Sequence, residues 1–313
     1  MDIDLRDSVP AFSPVGLGCN NFGMKLDESS SVAVVHAALD AGVSHFDTAE
    51  MYGGGKSEEF LGKALRDRRD DAFIATKFSP RAGENVFVPG ALSRRIREAC
   101  ESSLRRLGTD RIDLYYQHYP DADAPLDELL TTMGELVGEG KVRHVGRSNV
   151  DHGDLERAAG VTAAVQVEWS LLNRDVEADL VPAAERLGIG VVPYFPLASG
   201  LLSGKYRKGE PFPEGSRLDT MSYFASVATD ENMDRVERLR TVAEGHGHTL
   251  LELAVAWLLA QKSVTSVICG ATTPEQVTTN AIAGDWTLES SILSEVETAL
   301  DLVTERDRCG RIF

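Results

Sequence analysis

The sequence predicts a (β/α)8 (TIM) barrel. Eight short apolar runs of four to six residues alternate with longer stretches whose apolar residues recur at helical spacing. That is the pattern of parallel strands joined by crossover helices. At 313 residues the chain is long for most single domains but ordinary for such a barrel. The rival is a doubly wound sheet, which has about six strands and an early Gly-x-Gly-x-x-Gly turn. Here Gly16-x-Gly18-x-x-Asn21 lacks the third glycine.

In chain order the strands are expected at Val15–Gly18, Ser44–Asp47, Ala72–Thr76, Ile112–Gln117, His144–Ser148, Ala164–Glu168, Gly190–Tyr194 and Val264–Cys269. The helices between them are expected at Ser29–Ala41, Ser57–Arg66, Leu92–Leu107, Asp127–Glu139, Asp151–Ala159, Asp175–Leu187 and Thr249–Ala260. Several open on Ser, Thr or Asp, side chains that accept from the free N–H groups of a first turn. After strand 7 the rhythm breaks. From Gly200 to Thr229 the Gly, Pro, Ser and Tyr residues follow no period, which reads as a long loop over a ligand. Two helices close the chain, Pro274–Ala283 and a C-terminal extra helix at Ser291–Leu302. With no internal repeat and no linker, residues 1–313 are read as one domain.

The bulk properties exclude several classes. An apolar content of 42% supplies a large core, so a disordered chain or a small disulfide scaffold is a poor reading. A net charge of −17 opposes binding to nucleic-acid phosphates. Cys19, Cys100, Cys269 and Cys309 form no CxxC pair, which fits a reducing compartment and no metal centre. Met1–Arg6 lacks the basic and apolar parts of a signal peptide. The apolar helix at Leu250–Ala260 is too short for a bilayer. A soluble cytoplasmic protein is expected, with neither a nucleic-acid nor a membrane partner; its oligomeric state stays open.

Functional side chains of a barrel project from the C-terminal strand ends. Those ends present Asp47 after strand 2, Lys77 after strand 3 and His118 after strand 4, with Tyr52 in the loop after strand 2. A tyrosine near pKa ~10 is a poor acid at neutral pH, and a nearby ammonium makes it a better one. Lys77 beside Tyr52, held by Asp47, therefore suits proton transfer, and His118 suits orientation of a substrate oxygen. Singly, each has a bland reading as a solvated lysine, a core histidine, a turn aromatic or a turn carboxylate. The set of four on one rim outweighs those readings.

With these residues in view, the chain resembles the aldo-keto reductases over nearly its whole length. The resemblance rests on Phe46-Asp47-Thr48-Ala49-x-x-Tyr52-Gly53, Thr76-Lys77, Asp113-Leu114-Tyr115-x-x-His118, Ser148-Asn149, Gln166-x-Glu168 and Gly200-Leu201-Leu202-x-Gly204-Lys205-Tyr206. It implies a catalytic tetrad of Asp47, Tyr52, Lys77 and His118, and NADPH bound without a Rossmann fold, NADH being possible. It also implies that Ser148, Asn149 and Gln166 hold the carboxamide and that Trp169 stands in for a tyrosine stacked on the nicotinamide. Leu197, Gly200, Leu202 and Lys205 are implied as cofactor contacts, Ser216-Arg217 resembles a pair that contacts the pyrophosphate, and Gly270, Thr272, Gln276 and Asn280 are implied at the adenine end. Thr272 and Thr273 occupy positions where many NADPH-using relatives carry a base, Cys269 replaces a common proline, and Phe195 a common serine.

Gly53-Gly54-Gly55-Lys56-Ser57 imitates the end of a phosphate-binding loop, but Glu50 stands where GxxxxGK[ST] needs glycine. Asn21, Phe22, Met51, Phe78 and Tyr119, with Tyr223 and Phe224 from the long loop, are expected to line a mouth for a small-molecule carbonyl substrate. A short connection after His118 and a short tail after Leu302 suggest that this mouth is open. The leading expectation is reduction of aldehydes or ketones to alcohols with Tyr52 as general acid. A nicotinamide-binding regulatory subunit resembling the potassium-channel β subunits is the alternative, and a Schiff-base aldolase using Lys77 is a third.

Overall fold

Strand residues of this chain are buried on both faces, which commits the sheet to an interior shared by two packed layers. The computed structural model describes residues 12–80, 88–221 and 226–300. Its strands are β1 Val15–Gly18, β2 His45–Asp47, β3 Phe73–Phe78, β4 Ile112–Gln117, β5 Val142–Ser148, β6 Thr162–Glu168, β7 Gly190–Tyr194 and β8 Val267–Gly270. All pair in parallel in sequence order from β1 to β7, and β8 pairs with β1. A parallel bridge between Val191 and Val264 closes the ring. There the Val191 N–H donates to the Ser263 carbonyl at 2.7 Å, and the Thr265 N–H to the Val191 carbonyl at 3.0 Å.

The helices are α1 Glu28–Asp40, α2 Lys56–Ala64, α3 Ala91–Leu107, α4 Leu126–Gly138, α5 His152–Arg157, α6 Leu180–Leu187, α7 Arg217–Thr220, α8 Asp230–Gly245, α9 Leu250–Leu259, α10 Pro274–Ile282 and α11 Ser290–Ala299. Side-chain oxygens of Asp27, Asp151, Thr229, Thr249 and Thr273 accept from the first turns of α1, α5, α8, α9 and α10. Thr249 and Glu252 form a reciprocal capping box. None of the described helices is long and apolar enough to cross a membrane.

Three expectations need correction. The helix α8 went unassigned in the sequence because its buried stripe is thin: Met233, Val236, Leu239 and Ala243 share it with Arg240. Arg240 is buried there because its guanidinium donates to the carbonyls of Gly204 at 3.2 Å and Tyr206 at 2.9 Å. The expected helix at Asp175–Leu187 is a 3-10 turn, Asp175–Glu177, followed by α6. Pro182 lacks an N–H and clashes one turn back, so it fits only in a first turn. The last strand starts at Val267, Val264 being reduced to the closing bridge. The end of the final helix at Leu302, the tail beyond it and Cys309 lie outside the described residues.

Strand alternation sorts the side chains. Phe46, Ile74, Phe78 and Tyr115 point outward into the layer between barrel and helices. Phe73, Leu114, Tyr116, Ala164, Val192 and Ile268 fill the barrel itself, and Phe12 packs on His45 and Phe73 at its floor. Glycine makes room for the large ones. A Cβ on Gly146 would lie 2.4 Å from the Tyr116 ring, and one on Gly16 would lie 2.4 Å from His45 Nδ1. By the same alternation Asp47, Lys77, His118, Ser148, Gln166 and Tyr194 face inward at the C-terminal rim.

Candidate active site

Asp47 and Lys77 end adjacent inward rows of β2 and β3, so the pair forms wherever those strands pair in register. Lys77 is fully buried and Asp47 is 4% exposed. The Lys77 ammonium donates to Asp47 Oδ1 at 2.5 Å and to the Thr48 carbonyl at 2.8 Å. Burial opposes its charge, but Asp47 and Tyr52 more than offset that and raise the lysine above its ordinary pKa. Lys77 is therefore an ammonium across the working pH range.

Tyr52 leads a 3-10 turn, Tyr52–Gly55, that runs directly into α2. Gly53 and Gly54 take left-handed backbone there, and a Cβ on Gly53 would meet the Phe22 carbonyl at 2.7 Å. The Gly-Gly-Gly-Lys-Ser run is thus a strand-to-helix turn. Its loop is braced on all sides. Thr48 and Ser57 hydroxyls bond at 2.8 Å, Ser57 donates to the Cys19 carbonyl at 2.8 Å, and Glu50 accepts from the Ser79 N–H at 2.9 Å and from Arg95.

This brace sets Tyr52 with its ring centre 5.2 Å from Lys77 Nζ and 5.7 Å from the His118 ring, edge to face. The sequence expectation was that Lys77 lowers the tyrosine. Burial proves the larger effect and raises it, with Lys77 pulling the other way. Tyr52 is therefore a neutral phenol at physiological pH, primed as a proton donor. His118, 4% exposed, is lowered to about 3 by burial and by Lys77, so its imidazole is neutral. Its Nδ1 is buried without a hydrogen-bond partner.

Opposite this group stands a second one. Ser148 ends β5, and its hydroxyl donates to the Gln166 carbonyl at 3.1 Å. Asn149 follows in left-handed backbone, φ 59°. Its amide donates to the His118 carbonyl at 3.0 Å and to Ser148 Oγ at 3.1 Å, and accepts from the Tyr194 hydroxyl at 2.7 Å. Gln166 donates to Asp47 Oδ2 at 2.7 Å. Tyr194 was missed in the sequence, although its position at the inward end of β7 is the signal that marks it.

Among the described residues, the non-glycine positions with positive φ are Asn149, Phe195, Ala198 and Ser199. All four sit on the rim after β5 and β7. Strained backbone of this kind collects where a ligand is held. The turn after β7 carries Leu197, whose carbonyl accepts from Gly200 and Leu202 N–H groups at 2.8 and 3.1 Å. Leu202 itself is fully buried, while Lys205 is exposed beside the Tyr206 ring at 5.1 Å. Arg217 opens α7, and the hydroxyl of Ser216 just before it is buried with no partner. A phosphate oxygen at this point would satisfy that hydroxyl, so these residues fit a bound dinucleotide.

At the β8–α10 junction, Thr272 donates from its N–H at 2.7 Å and its hydroxyl at 3.1 Å to Gln276 Oε1. Asn280 donates to the Gly270 carbonyl at 3.3 Å. From Gly270 to Gln276 the only charged side chain is the exposed Glu275.

Three expected site residues fall elsewhere. Trp169 is 1% exposed; its indole N–H donates to Glu177 at 2.9 Å and its ring meets Trp257 edge to face at 5.9 Å. It presents no free face for stacking. Phe22 and Phe78 are fully buried in the outer core layer, Phe78 because it alternates with the inward Lys77. Met51 and Tyr119 are 55% and 49% exposed at the mouth, where Tyr119 stacks on His118 at 4.3 Å. Asn21 is buried in the loop after β1. Tyr223 and Phe224 lie outside the described residues.

Comparison with known proteins points one way. A model described as the aldo/keto reductase family matches residues 14–301. A probable aldo-keto reductase of Glycine max is 35% identical over 299 residues, 93% of this chain and 86% of that one. A glycerol dehydrogenase of Gluconobacter oxydans superposes with a TM-score of 0.83 at 31% identity, covering 96% of this chain and 95% of its own. An aldo-keto reductase of Klebsiella pneumoniae, solved with NADPH, gives 0.72 at 32% identity over 92% and 91% of the two chains.

Proposed function

The chain belongs to the aldo/keto reductase family, and from that premise we propose that its rim reduces aldehyde or ketone carbonyls to alcohols with NADPH, Tyr52 acting as general acid. The observation that carries this reading is the buried Lys77–Asp47 pair, 2.5 Å apart, set beneath a neutral Tyr52. Ser148, Asn149 and Gln166 are the residues that would hold the nicotinamide amide, and Ser216 with Arg217 the pyrophosphate. When bound, the reduced nicotinamide supplies the hydride that the carbonyl carbon accepts.

Tyr52 gives its proton to the carbonyl oxygen as negative charge builds there, and Lys77 stabilises the tyrosinate left behind. Asp47 keeps the ammonium charged and aimed. His118, neutral and beside the phenol, donates from Nε2 to the same oxygen and orients the substrate; with Nδ1 enclosed and partnerless, this is the tautomer that avoids an unsatisfied buried N–H. Exposed Met51 and Tyr119 would contact a small or medium substrate. Kinetics on Tyr52→Phe test the mechanism: turnover should vanish while NADPH still binds, and near-normal turnover would overturn it.

NADPH is taken as the preferred cofactor, in keeping with the Klebsiella pneumoniae relative solved with it. The junction near Thr272 offers a hydroxyl rather than a cation, so NADH is a serious competitor. Fluorescence titrations with both decide the matter, and equal affinities would remove the preference. The buried free thiols Cys19, Cys100 and Cys269 support a reducing, cytoplasmic setting.

A further inference from the structure

Among the described residues, one bond between side chains joins the proton-transfer group to the nicotinamide clamp, beside the contact of the Asn149 amide with the His118 backbone carbonyl. Gln166, 3% exposed on β6, reaches Asp47 on β2 at 2.7 Å. The carboxylate is thereby used on both oxygens, Oδ1 by Lys77 and Oδ2 by Gln166. An ionised carboxylate only accepts, so the amide must turn its NH2 toward Asp47. Its carbonyl is then left over as an acceptor for a ligand N–H.

We propose that Gln166 is a positioning residue for proton transfer as well as a cofactor contact: its amide holds Asp47, and through Asp47 and Lys77 it sets the acidity of Tyr52. This rests on the function proposed above. A donor on Oδ2 spreads the carboxylate charge. Without it, the full negative charge acts on Lys77 and on the phenol, and the tyrosinate becomes harder to form.

The groups facing this centre leave the effect readable. Cys19 after β1, His45 on β2, Tyr116 on β4 and His118 and Tyr119 just beyond it surround Asp47, Lys77 and Tyr52. Burial pushes the Cys19 thiol and the Tyr116 phenol up and holds both imidazoles at about 3. All four are neutral between pH 5 and 9, so the charge felt by Tyr52 comes from the Asp47–Lys77 pair.

The test is the pH dependence of alcohol oxidation at saturating NADP+, where Tyr52 must lose its proton. In Gln166→Leu the midpoint of kcat against pH should rise by about one unit, the scale on which a changed charged neighbour moves a titrating group. Ser148→Ala removes clamp contacts, including a bond to the Gln166 backbone, but leaves the Gln166 amide on Asp47, and should weaken NADP+ binding while keeping the wild-type midpoint. Gln166→Asn keeps an amide but withdraws it by one methylene, and takes the place of the leucine variant if circular dichroism shows that variant unfolded. An unmoved midpoint in the Gln166 variants, alongside an inactive Tyr52→Phe, overturns this inference alone. An active Tyr52→Phe removes the reading beneath it.

Discussion

Replacing Asp47 by asparagine should destabilise the protein strongly, and by an amount that depends on pH in a way the wild type does not. At 2.5 Å the Lys77–Asp47 attraction is worth about 7 kcal/mol before desolvation is counted, taking an effective dielectric constant near 20. Asparagine is close to isosteric: its carbonyl can still accept from Lys77 Nζ, and its NH2 can donate to Gln166 once that amide turns its carbonyl round. The ammonium, however, is left buried without a counter-charge. Breaking a buried pair costs about 3–5 kcal/mol. The variant has one escape, which is to release the Lys77 proton. For a lysine of ordinary pKa that escape costs about 5 kcal/mol at pH 7 and about 2 kcal/mol at pH 9.

The two proteins should therefore diverge in slope. In the wild type the Lys77 pKa is raised, so its contribution is complete below the ordinary lysine value and is lost only as pH climbs through the raised one. In the variant, burial, the largest effect on this lysine, is opposed by Tyr52 without Asp47, and the lysine should be lowered. The unfolded chain then holds the proton that the folded chain has shed, so stability rises with pH by about 1.4 kcal/mol per unit in that window. Urea unfolding at pH 7 and pH 9, followed by the fluorescence of the three tryptophans, measures both effects. A variant within about 1 kcal/mol of wild type at pH 7, a difference well below the cost of breaking a buried pair, would refute this account of the pair.

Further outcomes follow from other contacts. Trp169→Phe should lose about 1–3 kcal/mol of stability with its bond to Glu177, seen as a lower melting temperature. NADPH affinity should stay within about threefold, below the ~1 kcal/mol that a stacked aromatic pair contributes; a larger loss would restore the stacking role. Gly146→Ala should cost about 1–3 kcal/mol by forcing the Tyr116 ring aside, again read by thermal unfolding. His45 and His118 are neutral down to about pH 3 in the folded chain. Unfolding below about pH 6.5 must take up protons at both, so stability falls as pH drops from there toward 3. Urea unfolding at pH 6 and pH 4.5 should show that fall, and His45→Asn should flatten it.

Much of this architecture was legible because strands and crossover helices carry different periods, and because Asp47, Lys77 and His118 sit at strand ends where a barrel displays its chemistry. What escaped was decided by side chains reaching across the fold. Arg240 hides α8 by placing a charge on the buried face, which only makes sense once the carbonyls of Gly204 and Tyr206 are beneath it. Trp169 reads as an exposed stacking surface until Glu177 and Trp257 claim it. The acidity of Tyr52 departs from expectation for the same reason: a neighbour is visible in a sequence as a type, but the depth of burial that outweighs it is not. The Gln166–Asp47 bond depends on strands far apart in the chain, and no local pattern announces it.

That last bond has a consequence for how the protein comes into being. Asp47, Tyr52, Lys77 and His118 all belong to the first four strands, while Ser148, Asn149, Gln166 and Tyr194 all belong to the second four. A half-barrel emerging from synthesis can bring Lys77 to Asp47, but the second oxygen of that carboxylate waits for β6 to swing round from 119 residues away. Cut at the turn between α4 and β5, the chain would yield one fragment with the acid and no clamp, and another with the clamp and no acid. Carbonyl reduction regained on mixing the two would register, in one signal, that the ring had closed.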